Sequence, residues 1–162
     1  MERWEICLGG TFSPLHKGHL RLFETAFSVG RVVRVGLTTD DFASLGRSRK
    51  VTPYDVRERD LRNELDRLSE VHRVPYTIGP ITDKVGFAHE PRIEAIVVSK
   101  ETERYVDMID EVRAKKGLFP LRRFVVEMVL DDMGNVLSST RVQNGTVDAS
   151  GRSAKERSGG GA

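Results

Sequence analysis

Gly9-Gly10-Thr11-Phe12-Ser13-Pro14-Leu15-His16-Lys17-Gly18-His19 joins a short, partly apolar run, Arg3 to Leu8, to a stretch of helical periodicity. The run stops at two glycines, as a strand feeding a tight turn does. From Gly18 onward Leu20, Phe23 and Phe27, with Leu22 and Ala26 beside them, recur at helical spacing until Gly30, which predicts a helix. Such a junction suits a phosphate. Glycines let the backbone approach a bulky anion, and the free N–H groups and positive dipole end of the following helix favour negative charge. His16 and His19 stand three apart around the helix start, so both can face one ligand. Two other readings compete: a Gly-rich turn with two solvent-exposed histidines, and a zinc site drawing on Cys7, His16 and His19. The second lacks a clear fourth ligand and places Cys7 within a buried strand.

Working outward, Arg31 to Leu37 (RVVRVGL) is rich in β-branched residues and predicts a second strand ending at Thr38, Thr39 and Asp40, so the chain opens as β-α-β. Asp40 is a candidate cap for a short helix. Gly46 to Thr52 (GRSRKVT) is a small basic loop, and Pro53 suits the first turn of a helix carrying Val56, Leu61, Leu65 and Leu68. A third strand is expected at Arg73 to Ile78, an irregular connection at 79–91, and a buried strand at Ile93 to Val98. Tyr105, Met108, Ile109 and Val112 then fall at i, i+3, i+4 and i+7, and Lys115, Lys116 and Gly117 close that helix. Arg123 to Leu130 predicts a fifth strand. Strands alternating with helices imply an α/β, doubly wound, five-stranded parallel sheet with helices on both faces, with ligands at the carboxyl ends of the strands. The chain shows no internal repeat. One domain is expected over 1–149, followed by a Gly- and Ser-rich tail at 150–162 expected to be disordered.

Twenty-six Lys and Arg against 24 Asp and Glu give a formal charge of +2, too balanced for a protein that coats nucleic acid or membranes. Any anion preference is therefore local. The one cysteine, Cys7, cannot form an internal disulfide and no C-x-x-C pair occurs, so a reducing, cytoplasmic setting is expected. No run of about 18 apolar residues occurs, and MERWEICLGG does not read as a cleaved leader.

A second segment, Leu137-Ser138-Ser139-Thr140-Arg141-Val142, can cap a helix with its hydroxyls and offer phosphate oxygens the fork of Arg141. Alone it also reads as an ordinary N-cap with a surface arginine.

The first segment resembles the HxGH superfamily of nucleotidyltransferases, which carry GxFxPxHxGH at this place in a Rossmann-like domain; Gly10, Phe12, Pro14, His16, Gly18 and His19 all match. The second resembles their ISSTRIR motif. Between them, GLTTD at 36–40, RKVTPYDVRERD at 49–60, AIVVSKET at 95–102 and KKGLFPL at 115–121, with LSSTRVQNGTVDASG after them, resemble the archaeal-type phosphopantetheine adenylyltransferases. These are similar to the adenylyltransferase domain of eukaryotic CoA synthase, and the likeness spans about residues 4 to 151. It implies a nucleotidyltransferase domain that moves AMP from ATP to 4′-phosphopantetheine, giving dephospho-CoA and pyrophosphate. Its expected ligands are ATP, 4′-phosphopantetheine and dephospho-CoA, with CoA as a candidate further one; no nucleic acid or membrane partner is expected, and the oligomeric state stays open.

The resemblance implies catalytic parts for His19, Lys50 and His16, and ATP contacts from Gly10, Thr11, Phe12, His16, Gly18, His19, Ser138, Ser139, Thr140 and Arg141. Thr11 and Lys50 would hold the acceptor phosphate. Mg²⁺ would arrive with ATP, and no residue is assigned to a metal. Two departures stand out. Ser13 replaces the Asp common in GTFDP, and Val142-Gln143 replaces Ile-Arg, removing one cation. The rival readings are another HxGH enzyme, acting on nicotinamide mononucleotide, FMN or a CTP-dependent acceptor, and a nucleotide- or RNA-binding module without turnover.

Overall fold

A computed structural model describes residues 2–47 and 49–154. Strand β1 (Trp4–Gly10) leads through the glycine loop into helix α1 (Lys17–Val29) and strand β2 (Gly30–Thr38). Helices α2 (Asp40–Ser44) and α3 (Tyr54–His72) follow, then β3 (Tyr76–Ile81), a 3-10 turn (Gly86–His89), β4 (Ala95–Ser99), α4 (Arg104–Lys115), β5 (Arg122–Val126) and the short α5 (Ser139–Gln143). The strands lie in the order β3-β2-β1-β4-β5, all parallel, as expected. The order reverses between β1 and β4, and the crevice at their carboxyl ends is where such sheets bind ligands.

Period-two alternation assigns the two faces. Ile6 and Leu8 of β1, with Ala95 and Val97 of β4, pack against Phe23 and Phe27 of α1 and Leu61, Leu65 and Leu68 of α3. Cys7, Ile96 and Val98 point the other way, against Val106 and Ile109 of α4. A sheet covered on both sides explains why its central strands read as continuous apolar runs.

Several boundaries move. Strand β3 begins at Tyr76 rather than Arg73, because Arg73 takes a left-handed φ of 56° and closes α3. It then runs through Gly79 and Pro80, which had suggested a loop. Strand β3 is an edge, where a missing N–H is tolerated. Strand β5 stops at Val126 instead of Leu130. The chain folds back so that Leu130 bridges Val136, while Asp131 Oδ1 accepts the N–H groups of Met133 and Asn135, both at 2.9 Å. Thr39, not Asp40, caps α2, its hydroxyl accepting the Phe42 N–H at 3.2 Å.

On α4 the buried residues are Val106, Ile109 and Arg113, and Met108 is exposed, so the core-facing stripe is rotated from the one expected. The cause is Arg113. Its guanidinium donates to the carbonyls of Ala88 at 2.7 Å, Phe119 at 2.8 Å and Glu90 at 3.2 Å, which lets a cation occupy a core position. Residues 150–154 are also structured: Gly151 is buried, its carbonyl accepts the Asp132 N–H at 2.8 Å, and Val147 bridges Ser153. The ordered chain thus extends past residue 149, and the rest of the expected tail, 155–162, lies outside the described residues. Among the described residues no helix is long and apolar enough to cross a membrane.

Candidate active site

His16 is the N-cap of α1, and His19 is its third residue. His16 Nδ1 accepts the Gly18 N–H at 3.0 Å, and His19 Nδ1 accepts the His16 N–H at 3.2 Å. The pair therefore forms a reciprocal capping box, built from imidazoles instead of the usual serine and glutamate. Because both Nδ1 atoms accept hydrogen bonds, the proton of each neutral ring sits on Nε2. The rings stack at 3.8 Å between centroids. Burial lowers the His16 pKa to about 4. Burial, then the neighbouring His16 and Arg49, lowers that of His19 to about 3. Both are uncharged Nε2–H donors at neutral pH. Desolvation is the largest cause for both rings.

The rest of the loop holds these rings in place. Phe12, at φ 52°, tucks its buried ring edge-on against His19, with centroids 5.1 Å apart, and against Phe23 at 5.2 Å. A Cβ on Gly18 would lie 2.7 Å from His16 Cε1, so only glycine leaves room for the capping imidazole. Ser13, where an aspartate is common in the superfamily, accepts the Thr52 N–H on its hydroxyl at 3.2 Å, and its carbonyl accepts from Arg49 at 2.7 Å. The serine hydroxyl thus ties the loop to the backbone ahead of α3.

Behind the loop sits Arg57, 1% exposed. It donates to the carbonyls of Thr52 at 2.6 Å and Thr11 at 3.1 Å, to Thr38 Oγ1 at 3.2 Å and to Asp40 at 2.9 Å. Thr38 Oγ1 in turn lies 3.0 Å from Thr11 Oγ1. One buried guanidinium so fastens the glycine loop, the end of β2, the start of α2 and the approach to α3. Sequence reading assigned Arg57 no role, although it continues the Leu61, Leu65, Leu68 stripe one helical step earlier, at i−4 from Leu61.

The second motif docks beside the first. Ser138 caps α5 by accepting the Arg141 N–H at 3.3 Å, and the Ser139 hydroxyl donates to the Pro14 carbonyl at 2.8 Å. A cavity of about 740 Å³ opens at the carboxyl ends of β1 and β4. Gly10, Thr11, Phe12, His16, Gly18, His19, Ser139 and Thr140 all line it. Ser138, Lys50 and Arg141 do not. Lys50 is exposed, and its carbonyl accepts from Gln143 Nε2 at 2.7 Å. Arg141 spends its fork on the Val136 carbonyl at 2.9 Å and on Asp131 at 2.5 Å. The cations on the wall are Arg47 and Arg49 from the basic loop and Lys84, whose ammonium lies over the Tyr105 ring. Burial lowers both arginine pKa values, and for Arg47 the nearby Arg49 and Arg57 add to it, as expected where like charges crowd without an anion between them. Gln143, the departure that removed an arginine, accepts from Arg49 at 3.2 Å and so steadies that loop.

The far wall is apolar, formed by Cys7, Ala88, Ile96, Val98, Val106 and Ile109. Burial pushes the Cys7 thiol up to about 12, so it stays protonated there. Among the described residues no three His, Cys, Asp or Glu side chains converge in a way that could hold a metal ion.

Comparison with known proteins agrees with this geometry. The cytidylyltransferase-like family matches residues 7–145. A phosphopantetheine adenylyltransferase of Pyrobaculum aerophilum is 42% identical over 139 residues, covering 85% of this chain and 88% of the relative. Another protein of that name, from Pyrococcus horikoshii, is 35% identical over 98% of this chain and its own whole length. A crystal structure from Archaeoglobus fulgidus, of a protein with unknown function, superposes with a TM-score of 0.63 at 31% identity, covering 75% of this chain and 88% of that one. With identity of this order sustained along nearly the whole of both named relatives, the chain belongs to the cytidylyltransferase-like family, in its group of archaeal phosphopantetheine adenylyltransferases.

Proposed function

We propose that the chain transfers AMP from ATP to 4′-phosphopantetheine, releasing pyrophosphate and forming dephospho-CoA. A phosphate-monoester oxygen of the acceptor attacks the α-phosphorus of ATP, and the bond from that phosphorus to the β-phosphate oxygen breaks. The attacking group is already an anion near neutral pH, since its second pKa is about 6, so no general base is required. The protein's task is to hold two mutually repelling anions in line and to stabilise the charge that grows on the α-phosphate and the leaving pyrophosphate.

The observation that carries this reading is the histidine capping box. Two neutral imidazoles with Nδ1 occupied can do one thing for a phosphate, which is to donate from Nε2, and both line the cavity beside Thr11, Ser139 and Thr140. His19 and His16 donate to the α- and β-phosphates. Thr11 donates to the acceptor phosphate, and Thr140 meets the outer phosphates beside Ser139, whose hydroxyl holds the second motif against the Pro14 carbonyl. Arg47 and Arg49 supply the positive charge that the sequence had assigned to Lys50 and Arg141. Mg²⁺ enters as part of the MgATP substrate, held by phosphate oxygens and water. The apolar far wall suits the uncharged arm of phosphopantetheine better than the ribose and charged ring of nicotinamide mononucleotide. A cytoplasmic setting, where the acceptor's own thiol stays reduced, belongs to the same reading.

The test is pyrophosphate release from ATP with phosphopantetheine, nicotinamide mononucleotide, FMN or no acceptor. Release dependent on phosphopantetheine is expected; preference for another acceptor, or ATP binding without release, would overturn the assignment.

A further inference from the structure

Thr38 and Arg57 are both buried, at 5% and 1% exposure. They form a row with Thr11. Arg57 donates to Thr38 Oγ1 at 3.2 Å, and Thr38 Oγ1 reaches Thr11 Oγ1 at 3.0 Å. Thr11 lines the cavity, and Thr38 reaches its wall as well. A guanidinium can only donate, so Thr38 must accept from it and keeps one proton to give. Thr11 Oγ1 is the hydroxyl within reach. Having accepted from Thr38, Thr11 retains its own proton for the cavity, where the proposed occupant is an anion that can only accept. The cation at one end and the anion at the other enforce the same direction along the row, and successive hydrogen bonds in a buried chain polarise one another.

The geometry points to a directed hydrogen-bond relay, Arg57 to Thr38 to Thr11, that fixes the Thr11 hydroxyl as a donor to the acceptor phosphate and makes Thr38 and Arg57 positioning residues of the transfer reaction. This rests on the proposed function for the identity of the anion. Thr38 is the better place to break the relay. In Thr38→Val the shape is kept, and Arg57 retains Thr11, Thr52 and Asp40 as acceptors, so the guanidinium is not abandoned. Without Thr38 the Thr11 hydroxyl is free to turn between staggered positions and to donate elsewhere.

Steady-state kinetics and ³¹P NMR titration with inorganic phosphate, on wild type, Thr38→Val, Thr38→Ser, Thr11→Val and the double valine variant, test the relay. Expected losses in kcat/KM for the acceptor are about tenfold for Thr38→Val and about tenfold to a hundredfold for Thr11→Val. The KM for ATP stays near wild type in Thr38→Val. Thr38→Ser, which keeps the hydroxyl, restores activity to within about threefold. The relay predicts that the double variant loses no more than Thr11→Val, whereas a direct contact of Thr38 with the ligand from its own place on the wall would make the losses add. Phosphate affinity follows the same order. Additive losses, failure of serine to restore activity, or unchanged phosphate affinity in Thr38→Val would each overturn the relay. If phosphate affinity obeys the pattern while wild type ignores phosphopantetheine, the relay stands and the acceptor assignment falls.

Discussion

Replacing His19 three ways separates its structural part from its chemical one. In histidine Nδ1 lies two bonds from Cβ and Nε2 three; asparagine places its polar atoms at the first distance and glutamine at the second. His19→Asn can therefore keep accepting the His16 N–H, now held at 3.2 Å by Nδ1, while losing the donor that faces the cavity. His19→Gln does the opposite, and His19→Ala loses both. A capping bond is worth about 1 kcal/mol, and a preorganised donor to a developing oxyanion about 2.7–4 kcal/mol, or a hundredfold or more in rate. His19→Asn should thus unfold within about 0.5 kcal/mol of wild type yet turn over about a hundredfold more slowly. His19→Gln should lose about 1 kcal/mol of stability while falling only about tenfold in rate. His19→Ala should show both losses. Thermal unfolding and continuous pyrophosphate release read the two quantities on the same preparations. If His19→Asn turns over like wild type, Nε2 is not the working atom and the donor role is wrong.

Both histidine pKa values, about 4 and about 3, lie below the ordinary 6.5, so the unfolded chain takes up protons first as pH falls. Their contribution to stability is complete above pH 6.5 and drains away on the way down to those values; for His19 alone the loss at pH 5 is about 2 kcal/mol, and urea titrations of wild type against His19→Asn should show a shallower pH slope in the variant. Gly18→Ala, which in an ordinary helix gains close to 1 kcal/mol, should lower both the unfolding midpoint and turnover, because its Cβ would stand 2.7 Å from His16 Cε1. Arg141→Ala should lower the unfolding midpoint by removing the cation beside Asp131, whose Oδ1 keeps the Met133 and Asn135 N–H groups, while changing the KM for ATP less than threefold. Arg49→Ala should do the reverse, raising that KM about tenfold with a modest change in the unfolding midpoint.

Much of this molecule was legible in its residues, for identifiable reasons. The glycine loop stands out because both glycines, Phe12 and the two histidines sit together at a strand–helix junction, and the alternation of strands and helices fixes a parallel sheet. What escaped depends on three-dimensional neighbours. Arg57 and Arg113 look like solvated cations within RERDLR and DEVRAKK, and only the carbonyls brought to them by other segments let them be buried. Each does fall on the apolar stripe of its helix, which was the readable signal. Lys50 and Arg141 lie off the cavity wall, and this could not be read either, because a basic residue in a motif says that a cation is present, not which way it points. Arg141 turns to Asp131, a partner supplied by a back-folded turn that looked like more strand.

The most direct test of the account is ³¹P NMR of wild type and His19→Asn incubated with MgATP and 4′-phosphopantetheine. Wild type is expected to consume the phosphomonoester resonance and to build the diphosphate of dephospho-CoA and free pyrophosphate in equal amounts, about a hundredfold faster than the variant. Pyrophosphate with no new diphosphate, or equal rates in the two proteins, would contradict it.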